Sequence, residues 1–145
     1  MPTNLQCDDC PLEAAQVELL WEKTRQLRQF SDDQVNIKCV SEEEIRTQNR
    51  QYRGKDKATN VLTFSYPSTS SGQVSEHDVS LCLTVAQREA AEQGVQLRDY
   101  VALLLAHAFL HATGLDHERS RKEALATAEA EAQVLAHAGF LHISL

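Results

Sequence analysis

The chain has 145 residues and a mass of 16.2 kDa, enough for one domain with its own hydrophobic core and too short for a multidomain assembly. Hydrophobic residues make up 42% and charged residues 24%, the balance of a soluble globular protein, which excludes a disordered or fibrous chain. The net charge of −7, from 14 Lys plus Arg against 21 Asp plus Glu, repels nucleic acid overall, so any RNA must be held by a local basic patch.

No basic segment followed by an apolar one opens the sequence. The longest aliphatic run, Val101 to Ala106, is far short of the ~20 residues that span a bilayer. A single cytoplasmic domain over residues 1–145, without membrane association, is expected.

In chain order, a short first strand is expected near Thr3 to Gln6. Pro11 opens a helix running to about Phe30, with Leu12, Leu19, Leu20 and Leu27 at helical spacing. Val35, Ile37 and Cys39 alternate with polar residues as a half-buried strand, and Ser41 with Glu44 forms a capping box for the next helix. Asn60 to Tyr66 reads as a strand. Pro67 to His77, rich in serine, reads as a surface loop with an exposed His77, before a strand at Val79 to Leu83. Thr84 with Gln87 caps a helix ending near Gly94. Leu97 to Ala112 is apolar enough for a helix buried on most sides, and a last helix spans about Glu118 to Gly139. The expected class is α+β, with a mixed sheet of about four strands packed with helices.

Four cysteines occur in a chain without an export signal, so no disulfide framework is expected. Cys7 and Cys10 have C-x-x-C spacing but lack the second ligand pair of a zinc ribbon. Cys39 and Cys82 read as small core residues on strands. Arg46, Arg50, Arg53, Lys55 and Lys57 fall within twelve residues with only Asp56 against them, either a local basic patch or a solvated helix end.

Three of the six histidines lie in the eleven residues His107-Ala-Phe-Leu-His111-Ala-Thr-Gly114-Leu-Asp116-His117. His107 and His111, four apart on a helix, present their imidazoles on one face. Gly114 ends that helix through a positive φ and turns the chain so that His117 approaches the other two. Three imidazoles suit one zinc ion and leave a fourth tetrahedral position open, which favours catalysis over a structural role and places a metal site at the end of a central helix. The spacing matches the metzincin proteases, H-E-x-x-H-x-x-G-x-x-H, but Ala108 stands where their glutamate base belongs, and a methyl group takes no proton from water. Asp116 orients an imidazole or acts on the water, or simply forms the turn.

With these residues in view, the sequence resembles the YbeY family of bacterial metal-dependent endoribonucleases, also described as rRNA maturation factors, over roughly residues 35 to 140. Asn49-Arg-Gln-Tyr-Arg53-Gly-Lys-Asp-Lys-Ala-Thr-Asn60-Val-Leu-Thr-Phe-Ser is similar to N-x-x-Y-R-x-K-D-x-P-T-D-V-L-S-F-P, and the histidine cluster to H-G-x-L-H-L-x-G-Y-D-H. Ala58 departs from the family's proline, Asn60 from aspartate, Ala108 from glycine and Leu115 from tyrosine, while His77-Asp78-Val79 replaces a segment like Gly-Asp-Ile.

The resemblance implies zinc, one per chain, on His107, His111 and His117, with Arg53 facing the site; Arg53 and His107 are the candidate catalytic residues. It further implies a single-strand-specific endoribonuclease acting in maturation of the 16S rRNA 3′ end and in ribosome quality control. Its partners would be rRNA and the small ribosomal subunit, with no DNA. Zinc-bound hydroxide would attack phosphorus while Arg53, a planar guanidinium, met two non-bridging oxygens. Arg46, Arg50, Lys55 and Lys57 would contact the RNA backbone, with Tyr52 and Tyr66 as stacking surfaces. The alternative is a non-catalytic assembly factor in which zinc fastens the Leu97 helix to the next one and the cleft binds RNA or protein.

Overall fold

The computed structural model describes residues 3–29, 34–67, 74–115 and 118–141. Strand β1 (Thr3–Gln6) leads to helix α1 (Ala14–Arg28), β2 (Gln34–Cys39) and α2 (Glu42–Arg53). The chain continues through β3 (Val61–Pro67), β4 (Val74–Leu81), α3 (Leu83–Gln93), α4 (Leu97–Ala112) and α5 (Arg121–His137). One sheet of order β1-β2-β4-β3 is formed, with β1, β2 and β4 parallel and β3 antiparallel to β4. The α+β class with a four-stranded mixed sheet is therefore observed.

One sheet face carries Leu5, Val35, Ile37, Val79 and Leu81 into the main core, where α1 and α4 pack against them and α5 closes over both helices. Ten of the sixteen residues of α4 are buried, in keeping with its apolar composition. Trp21 of α1 lies edge-on to Phe109 of α4, with ring centroids 5.3 Å apart. On the opposite face Ile45 of α2 joins Leu62, Val40, Cys82 and Val85 in a second, smaller cluster. Strand β3 is thus an edge strand with α4 on one side and α2 on the other.

Several expectations are corrected. Helix α1 starts at Ala14 rather than Pro11, because Glu13 serves as N-cap in a reciprocal capping box with Gln16. Strand β4 starts at Val74, not Val79: pairing to β2 on one side and β3 on the other supplies the ladder bonds that outweigh the polar local sequence. His77 consequently lies inside the sheet, fully buried, with Ser65 Oγ 2.8 Å from its Nδ1 and the Trp21 ring edge-on to it, rather than exposed on a loop. Residues 68–73 of the expected loop lie outside the described residues. Helix α3 begins at Leu83 with Cys82 as N-cap and no side-chain cap, so Thr84 does not cap it, and Cys82 is a buried junction residue rather than a strand residue. Ser41 does cap α2 by accepting the Glu44 amide at 3.1 Å. Ser120, accepting the Glu123 amide at 3.0 Å, starts α5 later than Glu118.

A disulfide joins Cys7 and Cys39, Cα atoms 5.0 Å apart, contrary to the expectation of free thiols. The physical reason is register. Parallel pairing sets Gln6 beside Lys38, so Cys7, just past β1, and Cys39, the last residue of β2, emerge at the same end of the sheet. Cys10 and Cys82 remain free thiols.

Candidate active site

A cavity of about 630 Å³ runs along the edge strand, lined by Arg53, Thr59 to Ser65, His107, Ala108, His111 and Glu118, with Tyr52 at one end. Its size is that of a small-molecule or nucleotide-sized site. Both faces of β3 contribute: Thr63 Oγ1 lies 3.5 Å from the Ala108 carbonyl of α4, whereas Phe64 meets Tyr52 of α2 edge to face at 4.9 Å.

His107 and His111 come from the last turns of α4, four residues apart, and both line this cavity as their spacing predicts. His107 is about one-third exposed, and its Nδ1 lies 2.7 Å from Oε2 of Glu131 on α5, whose side chain is 12% exposed. The helix then ends in a Schellman motif: the Leu115 amide donates to the Leu110 carbonyl at 3.2 Å and the Gly114 amide to His111 at 3.0 Å. Gly114 holds φ +98°, the conformation its placement implies. Arg28 of α1 fastens the same end, its Nε donating to Thr113 Oγ1 at 3.2 Å. Asp116 and His117 lie outside the described residues.

The donor set is tested by its chemistry. Two imidazoles from one helix line the cavity, and one of them, His107, is paired through Nδ1 with a carboxylate, a pairing common among metal-ligating histidines. Among the described residues no three candidate ligands converge. His107 and His111 are of the residue type that would ligate zinc, and their placement on one cavity wall fits such a role.

Arg53, the last residue of α2, reaches the cavity from the other side. The turn that follows is pinned by Asn49, 1% exposed, whose Nδ2 donates to the Lys57 carbonyl at 3.0 Å. The basic patch is smaller than its composition suggests. Asp56 takes two bonds from Arg46, at 2.9 and 3.2 Å, and lies 3.9 Å from Arg50. The Arg46 guanidinium holds the Asp56 carboxyl below the ordinary carboxylate range. Arg53, Lys55 and Lys57 have no carboxylate partner among the described residues. Tyr52 is 68% exposed beside them, while the Tyr66 side chain lies outside the described residues.

Asn60, at the aspartate position of the resemblance, donates to Glu89 Oε1 at 2.9 Å, and the Tyr100 hydroxyl donates to the same oxygen at 2.9 Å. This network ties the start of β3 to α3 and α4. Two acidic residues, one lining the cavity and one behind His107, have no counterpart in the motifs. Glu118 adds a carboxylate to the rim. Glu131, far downstream, is signalled only by an acidic residue on the buried stripe Thr127, Glu131, Val134, Leu135 of α5.

Residues 6–143 match the family described as Endoribonuclease YbeY. The chain belongs to the YbeY family. Among curated relatives it is 49% identical over 111 residues to Endoribonuclease YbeY of Ralstonia nicotianae, covering 77% of this chain and 58% of that one. It is 46% identical over 111 residues to the Burkholderia thailandensis protein of the same name, covering 77% of this chain and 25% of that one. The chain thus spans less than two-thirds of these relatives' lengths. The solution structure of TM1509 from Thermotoga maritima superposes with a TM-score of 0.61 at 25% identity, over 94% of this chain and 88% of that one. No helix among the described residues is long and apolar enough to cross a membrane.

Proposed function

We propose that this chain is a single-strand-specific, zinc-dependent endoribonuclease of the cytoplasm that acts on rRNA, in maturation of the 16S 3′ end and in ribosome quality control on the small subunit. The observation that carries the reading is the convergence of His107, His111 and Arg53 on one cavity from two different helices. Relatives named as endoribonucleases support the reaction class.

His107, His111 and His117 would hold the zinc ion, which when bound supplies Lewis acidity at a phosphoryl oxygen and makes water easier to deprotonate. Arg53, with no carboxylate partner among the described residues, places a planar guanidinium where the non-bridging oxygens of the scissile phosphate gather charge. Lys55 and Lys57 extend that charge along the incoming backbone, and the exposed Tyr52 ring, braced by Phe64, offers a stacking face for a base. A single strand fits this arrangement because its bases are free to stack.

The test is cleavage of a single-stranded RNA matching the 16S 3′ region by the wild type and by His111→Ala purified in parallel. Cleavage by the first and not by a still-folded second is expected. Equal activity in both, or none in either, overturns the reading in favour of a non-catalytic assembly factor.

A further inference from the structure

We infer that Glu131 is the positioning residue of the metal centre: its carboxylate fixes the His107 ring in the Nδ1–H tautomer, so that Nε2 is the nitrogen presented to the cavity. This deepens the proposed function and rests on it for the identity of the ion. Glu131 Oε2 lies 2.7 Å from His107 Nδ1, a charge-assisted distance, and Glu131 is buried to 9% exposure on the face of α5 that packs against α4.

A carboxylate in its ionised form only accepts, so the proton of this bond belongs to Nδ1 and the ring's lone pair to Nε2. A buried carboxylate beside an apolar stripe of Val134 and Leu135 costs stability unless it is paired. A glutamine there would satisfy the same bond without a charge, and an aliphatic residue would pack better. Thr127, one turn earlier on the same face, spends its hydroxyl on the Glu123 carbonyl at 2.7 Å and does not compete for the imidazole. His107 also makes a contact beyond this one, so Glu131 is assigned the role of fixing the Nδ1 side and not of being its sole neighbour.

Two measurements test this on the whole chain. The first is zinc affinity, by competition with a chromophoric chelator, of wild type, Glu131→Gln, Glu131→Leu and His107→Ala. The wild type binds one zinc, His107→Ala loses it, Glu131→Leu weakens binding about 10–100-fold, and Glu131→Gln, which keeps an acceptor, falls between. The second is the His107 tautomer by imidazole ¹⁵N NMR on metal-free protein, in buffer alkaline enough to keep the ring neutral. Nδ1–H is expected in wild type and a tautomer mixture in Glu131→Leu, with Glu131→Gln serving as the folded comparison if the leucine variant fails to fold. Failure of the wild type to bind zinc refutes the metal centre and with it the parent reading. Normal zinc binding in both Glu131 variants overturns the positioning role alone. So does an Nε2–H tautomer in the wild type, with or without metal.

Discussion

Under the proposed function, the pairing of Asp56 with Arg46 and Arg50 makes a quantitative prediction about RNA binding. Of five clustered cations, two are committed to that carboxylate, which leaves Arg53, Lys55 and Lys57 to meet phosphates. Each phosphate neutralised on a single strand contributes about −0.7 to the slope of log affinity against log salt, so three contacts give about −2 and a loss of about 20-fold between 50 and 200 mM salt. Replacing Asp56 with asparagine releases the other two arginines and steepens the slope toward about −3.5, whereas Arg53→Ala flattens it by about 0.7. Because Arg46 holds the Asp56 carboxyl below its ordinary range, the pair stays intact at neutral and mildly acidic pH. The assay is fluorescence anisotropy of a labelled single-stranded RNA across a potassium chloride series, in a His111→Ala background expected to abolish cleavage. A slope near zero refutes electrostatic holding by this patch. An unchanged slope in Asp56→Asn refutes the division of the five cations into paired and available.

Gly114→Ala should destabilise the fold by about 1–2 kcal/mol in urea denaturation, all of it from the φ of +98°, since a Cβ there meets nothing within 4 Å; an unchanged midpoint would show that the chain turns some other way. Cys39→Ser should cost about 3–4 kcal/mol in oxidising buffer and little under reducing conditions, from loss of a cross-link spanning 32 positions. Tyrosinate absorbance should show one tyrosine titrating at about 12, because burial of Tyr100 and its bond to Glu89 both disfavour the phenolate. The folded value lies above the unfolded one near 10, so this contribution is complete below pH 10 and is lost as pH rises from about 10 to 12; Tyr100→Phe should remove that part of the alkaline stability loss, and titration of all tyrosines near 10 would contradict the network.

What was legible in the sequence was local. The apolar run of α4, the four-residue spacing of His107 and His111, the Ser41 cap and the glycine at position 114 each act within one or two turns, and each appears in the structure as its spacing implies. Ser120-x-x-Glu123 carried a signal of the same kind for the start of α5. The features that were misread depend on register. Cys7 meets Cys39 only because β1 and β2 are parallel with Gln6 beside Lys38, and His77 is buried only because β4 is sandwiched between β2 and β3. Neither neighbour is near in sequence, and the polar stretch before Val79 reads as a loop until its ladder partners are known. Glu131 illustrates a third case, in which periodicity places an acidic residue on a buried face but cannot say which imidazole it meets.

The two sides of the cavity are fixed by different contacts. The histidine end of α4 is fixed three times over: by Glu131 on His107, by Arg28 on Thr113 and by the Schellman bonds that close onto Leu115, which is itself buried. Ligand atoms displaced by an ångström lose an ion, so several independent ties there are repaid in preorganisation. Arg53 instead stands exposed at the end of a helix whose following turn is held by Asn49 on the Lys57 carbonyl, by the Gly54 and Lys55 amides on the Arg50 and Asn49 carbonyls, and by Arg46 on Asp56. In the proposed function this bonded turn carries the cations that would meet the RNA backbone. Asn49→Ala should therefore weaken the salt-dependent holding of RNA, read as affinity at 50 mM salt, while leaving zinc affinity at the wild-type value. Equal loss of both would mean that the two walls are coupled through β3 and that the division of labour is wrong.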